Sequence, residues 1–282
     1  MNLKEFKISL FLKQAFFFIF TQFLGFLALL RIQNQPIIKE IVENETRGVS
    51  VWGFLVQFIV VTAVFLVLLP LFKKKPVFLK ILFYFSIFIG ISFLFELFLG
   101  EPLAAIISIG LIVLLIIKPF VIFHNLIFSA AFSSVGLILG ITFQPFSVAL
   151  ILAILSLYDF IAVYFTRHMV KIAQVPASEG IFFGLLIPQK NKFFSQTKNL
   201  NKIGSGTDFS FLGGGDMVFP LILSLSIARS SFLDGIIVSL FSLFGLFALH
   251  LMFHLRTDTK PMPGLPPLVF MTLLGYLVVT IF

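Results

Sequence analysis

The feature that most constrains this chain is its succession of apolar runs. Nine of them, at roughly 14–30, 51–72, 80–99, 103–117, 125–143, 147–166, 209–228, 233–255 and 264–282, approach or exceed the ~20 residues a helix needs to cross a bilayer. A segment surrounded by lipid must satisfy its backbone hydrogen bonds internally, and the alternating ten-residue segments of a barrel are not seen. The expectation is an all-α polytopic membrane protein with nine transmembrane helices. Only 11% of the 282 residues are charged, against about 25% in a soluble domain, which excludes an ordinary globular enzyme or a disordered tail. We therefore read residues 1–282 as one membrane-embedded domain in the cell membrane. Spans one to six cover about 14–166, a loop covers 167–208, and spans seven to nine cover about 209–282.

The net charge of +8 follows topology. With nine spans, the N-terminus and alternate loops hold Lys4, Lys7, Lys13, Lys73, Lys74, Lys75, Lys80, Lys118, Arg167, Lys171, Lys190, Lys192, Lys198, Lys202, Arg256 and Lys260. The other side holds Arg31, Lys39, Arg47 and Arg229. This bias places the N-terminus in the cytoplasm and the C-terminus outside, and it leaves no basic surface for nucleic acid. The first apolar run lacks a small-residue cleavage site, so it reads as a retained span and not a signal peptide. Without cysteine there is neither a disulfide framework nor a thiolate metal site.

Ten of the twelve acidic residues fall in loops or at span boundaries; Asp159 and Asp216 do not. A carboxylate in hydrocarbon costs several kcal/mol, so an intramembrane Asp marks a functional site by default. Each lies within about two helical turns of the loop that joins spans six and seven, and antiparallel helices would bring the pair to one depth. Two carboxyl groups at close range share a proton, so that one activates a water while the other donates to a carbonyl. The same two residues also suit an ion path, and depth alone does not separate these readings.

Residues on either side of the loop add to the pattern. Gly213, Gly214 and Gly215 strip side chains from the approach to Asp216, allowing close contact with another backbone. Before them, Asp208-Phe209-Ser210-Phe211-Leu212 alternates polar and apolar, as a short exposed strand able to pair with an extended peptide would. Within the loop, which as a whole reads as flexible loop or partly interfacial helix, Ile181 to Pro188 is a short apolar stretch suited to lie on the membrane or to pack under the bundle. At the entry to the ninth span, Pro261, Pro263, Pro266 and Pro267 predict irregular backbone at the level of both aspartates.

These residues resemble a known set. Tyr158-Asp159 is similar to the YD motif, Gly213-Gly214-Gly215-Asp216 to the GxGD motif, and Pro263-Gly264-Leu265-Pro266 to the PALP motif of the presenilin and signal peptide peptidase family of intramembrane aspartyl proteases. The motifs occur in order on spans six, seven and nine. The resemblance implies an aspartic endopeptidase that cuts transmembrane segments, with Asp159 and Asp216 as the catalytic pair. It implies that Pro263, Gly264 and Leu265 shape the substrate site. The orientation and the proline after Leu265 are more similar to the presenilin branch, and the compact size to a prokaryotic, archaeal homologue. Two residues depart from the family pattern: Gly264 replaces Ala, and Gly214 stands where animal presenilins usually carry Leu. The expected partners are transmembrane substrates and the lipid bilayer. No obligate subunit is implied, and no metal or cofactor is expected.

Other chemistries leave weaker traces. His250 and His254 are spaced i, i+4, but Leu251 stands where a zinc protease motif requires Glu. No GxSxG occurs, and Ser205 lies in the polar loop. Tyr158 points about 100° away from Asp159 on a helix, which suggests an indirect role. A proton- or cation-coupled transporter using the same aspartates is the alternative, although such proteins show matching broken helices in two halves and this chain shows one, near Pro263.

Overall fold

The computed structural model describes residues 8–34, 50–165, 180–189, 209–255 and 262–282. Nine α-helices make up most of them: α1 Ile8–Gln33, α2 Val51–Lys74, α3 Pro76–Leu99, α4 Glu101–Ile117, α5 Val121–Thr142, α6 Pro145–Tyr164, α7 Gly214–Ala228, α8 Phe232–Leu255 and α9 Leu265–Ile281. Helices α1, α3, α5, α6 and α8 are long and apolar enough to cross a membrane; α4, α7 and α9 are shorter apolar helices, as is the Val51–Phe65 part of α2. Many of the charges used to orient the chain, including Lys4, Lys7, Lys39, Arg47 and those of 167–179, 190–208 and 256–260, lie outside the described residues.

The helices begin where the backbone loses least. Proline opens α3 and α6 at their first residue and lies in the first turn of α4 and α9, positions whose N–H has no helical partner. Helix α7 forms the centre: twelve of its fifteen residues are buried. Small residues let backbones approach it and one another. A Cβ on Gly136 of α5 would strike Leu221 of α7, and one on Gly245 of α8 would lie 2.9 Å from the Leu268 backbone of α9. Helix α2 differs, with Leu55 its one buried apolar residue among those described and Trp52, Ile59 and Val67 facing outward.

The fold is mostly helical, as expected, with one addition: Gly184–Pro188 (β1) and Phe209–Gly213 (β2) pair as an antiparallel two-stranded sheet. Of the two placements open to the apolar stretch in the loop, it takes the one under the bundle, and it does so in part as a strand buried along its length. A run as short as Gly-Leu-Leu-Ile-Pro has no periodicity to separate strand from helix, and its pairing partner lies 25 residues downstream. The seventh apolar run is correspondingly strand up to Gly213 and helix only from Gly214.

Polar contacts define two ends of the bundle. At one, Lys13 and Gln14 of α1, His124 and Asn125 of α5, and His250 of α8 gather around the hairpin. At the other, Arg31 caps α3 through the Leu97 carbonyl at 2.9 Å, and Arg229 caps α5 through the Ile141 carbonyl.

Candidate active site

The site forms at the hairpin end, where α6 finishes and α7 and α9 begin. Asp159 lies on the last turns of α6, and its Oδ2 accepts the Leu265 backbone N–H at 3.2 Å. Leu265 is the first residue of α9, so this N–H is one of the donors a helix start leaves without an internal partner. With Pro266 and Pro267 next, the first turn has few other donors to offer. The carboxylate therefore caps α9 from a neighbouring helix, at the positive end of its dipole.

Asp216 arrives from the opposite side. It lies in the first turn of α7, and its carboxylate takes a hydrogen bond from the backbone of Gly213. It also packs against Gly264: a Cβ there would stand 2.7 Å from Oδ2 and 3.0 Å from Oδ1. One acid thus meets the N–H of Leu265 and the other lies over the Cα of Gly264, so both carboxylates converge on the 264–265 peptide. Both are half-buried, and they interact electrostatically.

The entry to α9 is more regular than its prolines suggest. Pro266 and Pro267 lie inside the first helical turn, because proline's fixed φ suits that turn and its missing N–H is not needed there. Among the described residues, only 262–264 precede the helix; Pro263 is buried, and Pro261 lies outside the description.

The three glycines have separate surroundings. Gly213 closes β2 opposite Gly184, and Gly214 starts α7 with its N–H bonded to the Phe183 carbonyl at 3.0 Å. A Cβ on Gly214 would lie 2.5 Å from the Phe132 ring. That ring belongs to an aromatic chain, Phe183–Phe83–Phe128–Phe132, with centroids 5.2 to 5.5 Å apart. Part of the abundant phenylalanine thus links the hairpin to the start of α7. Gly215 is exposed, with Phe219 its nearest neighbour. The Tyr158 ring packs edge-on against Phe58 of α2, with centroids 6.0 Å apart.

Among the described residues, the hairpin has one occupied edge. Asn125 donates to the Leu186 carbonyl at 2.8 Å and accepts the Leu186 N–H at 3.0 Å, while His124 Nε2 donates to the Gly184 carbonyl at 2.9 Å. In an antiparallel pair, outward-facing residues alternate with inward-facing ones. Leu186 faces out from β1, so its partner Phe211 turns its own N–H and C=O to the far edge of β2. Among the described residues no hydrogen bond reaches those two groups.

A sequence model of the signal-peptide peptidase, presenilin aspartyl protease family matches residues 15–282. The chain belongs to this family. Among solved structures, a presenilin family intramembrane aspartate protease in C222 and P2 crystal forms is similar, with TM-scores of 0.63 and 0.62 at 22% identity. The matches cover 95% of this chain and 97% and 96% of those chains. At that identity the likeness is one of fold. No curated protein matches the chain.

The family resemblance drawn from the YD, GxGD and PALP-like motifs is therefore correct, and with its apolar helices this presenilin-like chain is a multi-pass membrane protein. Its glycine in place of the family's Ala at 264 has a local consequence, since the Asp216 carboxylate occupies the space next to where a methyl would project. Sequence reading missed Gln14, His124, Asn125 and the contact made by His250. Their one signal was a polar side chain inside an apolar run.

Proposed function

We propose that the protein is an intramembrane aspartyl endopeptidase that hydrolyses peptide bonds within or beside transmembrane segments, with Asp159 and Asp216 as its catalytic pair. The observation that carries this reading is the convergence of the two carboxylates, from separate helices, on the Gly264–Leu265 peptide. One carboxylate, ionised, takes a proton from a water held between them. The resulting hydroxide attacks the substrate carbonyl carbon, and the other carboxyl group gives its proton to the carbonyl oxygen. Collapse of the tetrahedral intermediate breaks the C–N bond as the first acid returns its proton to the leaving nitrogen and a hydroxyl of the gem-diol gives its proton to the second carboxylate, which releases an amine and a carboxylic acid and restores the pair. These steps call on no metal or covalent intermediate.

A helical peptide bond is shielded by its own hydrogen bonds, so the substrate must be extended where it is cut. The edge of β2 at Phe211, to which no hydrogen bond runs among the described residues, leads directly into Gly213 and Asp216, and it supports uptake of such a segment by backbone pairing. The charge distribution supports an N-terminus in the cytoplasm, with the site on that side of one membrane-embedded domain spanning the cell membrane. Because the chain has no cysteine, single cysteines placed at Asn2 and Phe282 would report orientation through impermeant thiol labelling of intact cells.

The test is incubation of detergent-solubilised protein with a single-span peptide, comparing wild type with Asp159→Ala and Asp216→Ala. Cleavage in or at the edge of the span, lost in both variants and blocked by transition-state analogues of aspartyl proteolysis, is expected. Undiminished cleavage in either variant sinks the shared-proton mechanism. Neither the family nor the site geometry favours the transporter alternative.

A further inference from the structure

The hairpin leads straight into Asp216, so whatever holds it in place along its length also sets the distance from the β2 edge to the carboxylates. Five side chains from three helices do this. On β1, His124 takes the Gly184 carbonyl, Asn125 takes both groups of Leu186, and Lys13 Nζ donates to the Pro188 and Gln189 carbonyls at 2.9 and 3.0 Å. The Asn125 amide presents a donor and an acceptor side by side, as a neighbouring strand would, so α5 supplies a one-residue surrogate strand.

On β2, Gln14 Nε2 donates to Ser210 Oγ at 3.1 Å, and Gln14 Oε1 lies 3.0 Å from His250 Nδ1. With the Gln14 amide nitrogen donating to the serine, its oxygen is the acceptor, which assigns the proton to His250 Nδ1. Gln14 and His250 are buried where α1 meets α8, and Ser210 is six residues ahead of Asp216. The two strands are thus pinned to the bundle at points on both sides of the sheet.

We propose that Gln14, Asn125 and His250 are positioning residues that fix the register of the hairpin against the aspartates and thereby select which substrate bond is cut. The inference rests on the protease reading above and on uptake of substrate at the β2 edge. A one-residue slip moves a strand by about 3.3 Å and turns its outward groups inward, while a two-residue slip restores the facing at a new distance. A loosened clamp therefore spreads cleavage over bonds one or two residues from the main site.

The experiment maps products of a single-span peptide by mass spectrometry for Gln14→Leu, Asn125→Leu, Ser210→Ala, His250→Phe and His250→Gln, with amide exchange of 184–188 and 209–213 measured without substrate. Ser210→Ala removes only a hydroxyl, and His250→Gln keeps a side-chain donor for Gln14, so this pair decides the matter if larger changes impair folding. The expected result is faster exchange in all but His250→Gln, together with a shift of about two- to tenfold in the ratio of displaced to principal products, the range one lost hydrogen bond implies. His250→Gln should keep the wild-type pattern. Unchanged exchange overturns the clamp, and faster exchange with wild-type product ratios overturns the register role. Wild-type protein that cuts nothing, or cuts equally well without Asp159, overturns the protease reading instead and leaves the exchange result to judge the clamp.

Discussion

Asp159 stands on an unbroken helix of twenty residues, whereas Asp216 lies in the first turn of a helix that emerges from a strand. The first is held by a hydrogen bond to Leu265, and the second by Gly213 on one side and close contact with Gly264 on the other. A carboxylate on a regular helix takes its position from the helix and needs one partner to orient it. At a strand-to-helix junction the backbone itself is the variable, so hairpin and glycines must locate the acid. The two halves of the site should therefore respond to different substitutions.

The largest effects test the charges. Asp159→Asn and Asp216→Asn should each lower cleavage by at least about 10²–10⁴-fold, the range that positioned acid–base groups contribute. Asp159→Asn keeps an oxygen for the Leu265 N–H. Its unfolding temperature should stay near wild type, while Asp159→Ala loses about 1–3 kcal/mol by stranding that donor. If both variants are equally stable, the hydrogen bond to α9 is not what orients Asp159.

Next comes Gly264→Ala, which restores the family's residue. Its methyl meets the Asp216 carboxylate and leaves the Leu265 N–H in place. A displacement of a few tenths of an ångström to 1 Å should cost about ten- to a hundredfold in kcat, with KM changed by no more than about twofold. A wild-type rate would mean that Asp216 yields without penalty, and the contrast between the two acids would lose its main support.

Gly214→Ala acts on stability, since its Cβ runs into Phe132. Overpacking of this kind costs about 1–3 kcal/mol, and Phe132→Leu in the same chain should recover part of it, which a double-mutant cycle in thermal unfolding would measure. The smallest effect belongs to Tyr158. Its ring packs against Phe58, and Tyr158→Phe keeps that packing, so it should change cleavage by less than about twofold, while Tyr158→Leu should cost about 0.5–1.5 kcal/mol of packing. A large loss of kcat in Tyr158→Phe would move its hydroxyl into the site.

The unequal legibility of the site has a physical cause. Asp159 and Asp216 could be read from the chain because a charge in lipid is costly and therefore rare, so position alone made them conspicuous. The strand at 209–213 left a trace in its alternation of polar and apolar residues. Its partner at 184–188 left none, because five mostly apolar residues buried on both faces look the same in a strand or a helix. Gln14 and His250 were hidden for another reason: a neutral polar residue in an apolar run is compatible with packing, snorkelling or hydrogen bonding, and its partner here lies 236 residues away.

By itself the sequence determined the solvent, the apolar helical segments seen among the described residues and the family, and it singled out two acids in lipid, because each depends on how single segments partition between lipid and water or on short motifs. Tertiary structure decided that 184–188 and 209–213 pair, that buried amides close one edge of that pair, and that both carboxylates meet at Gly264 and Leu265. Those arrangements rest on contacts between residues 21 to 236 positions apart. Only packing, with small residues bringing backbones close and buried polar groups finding their partners, selects them.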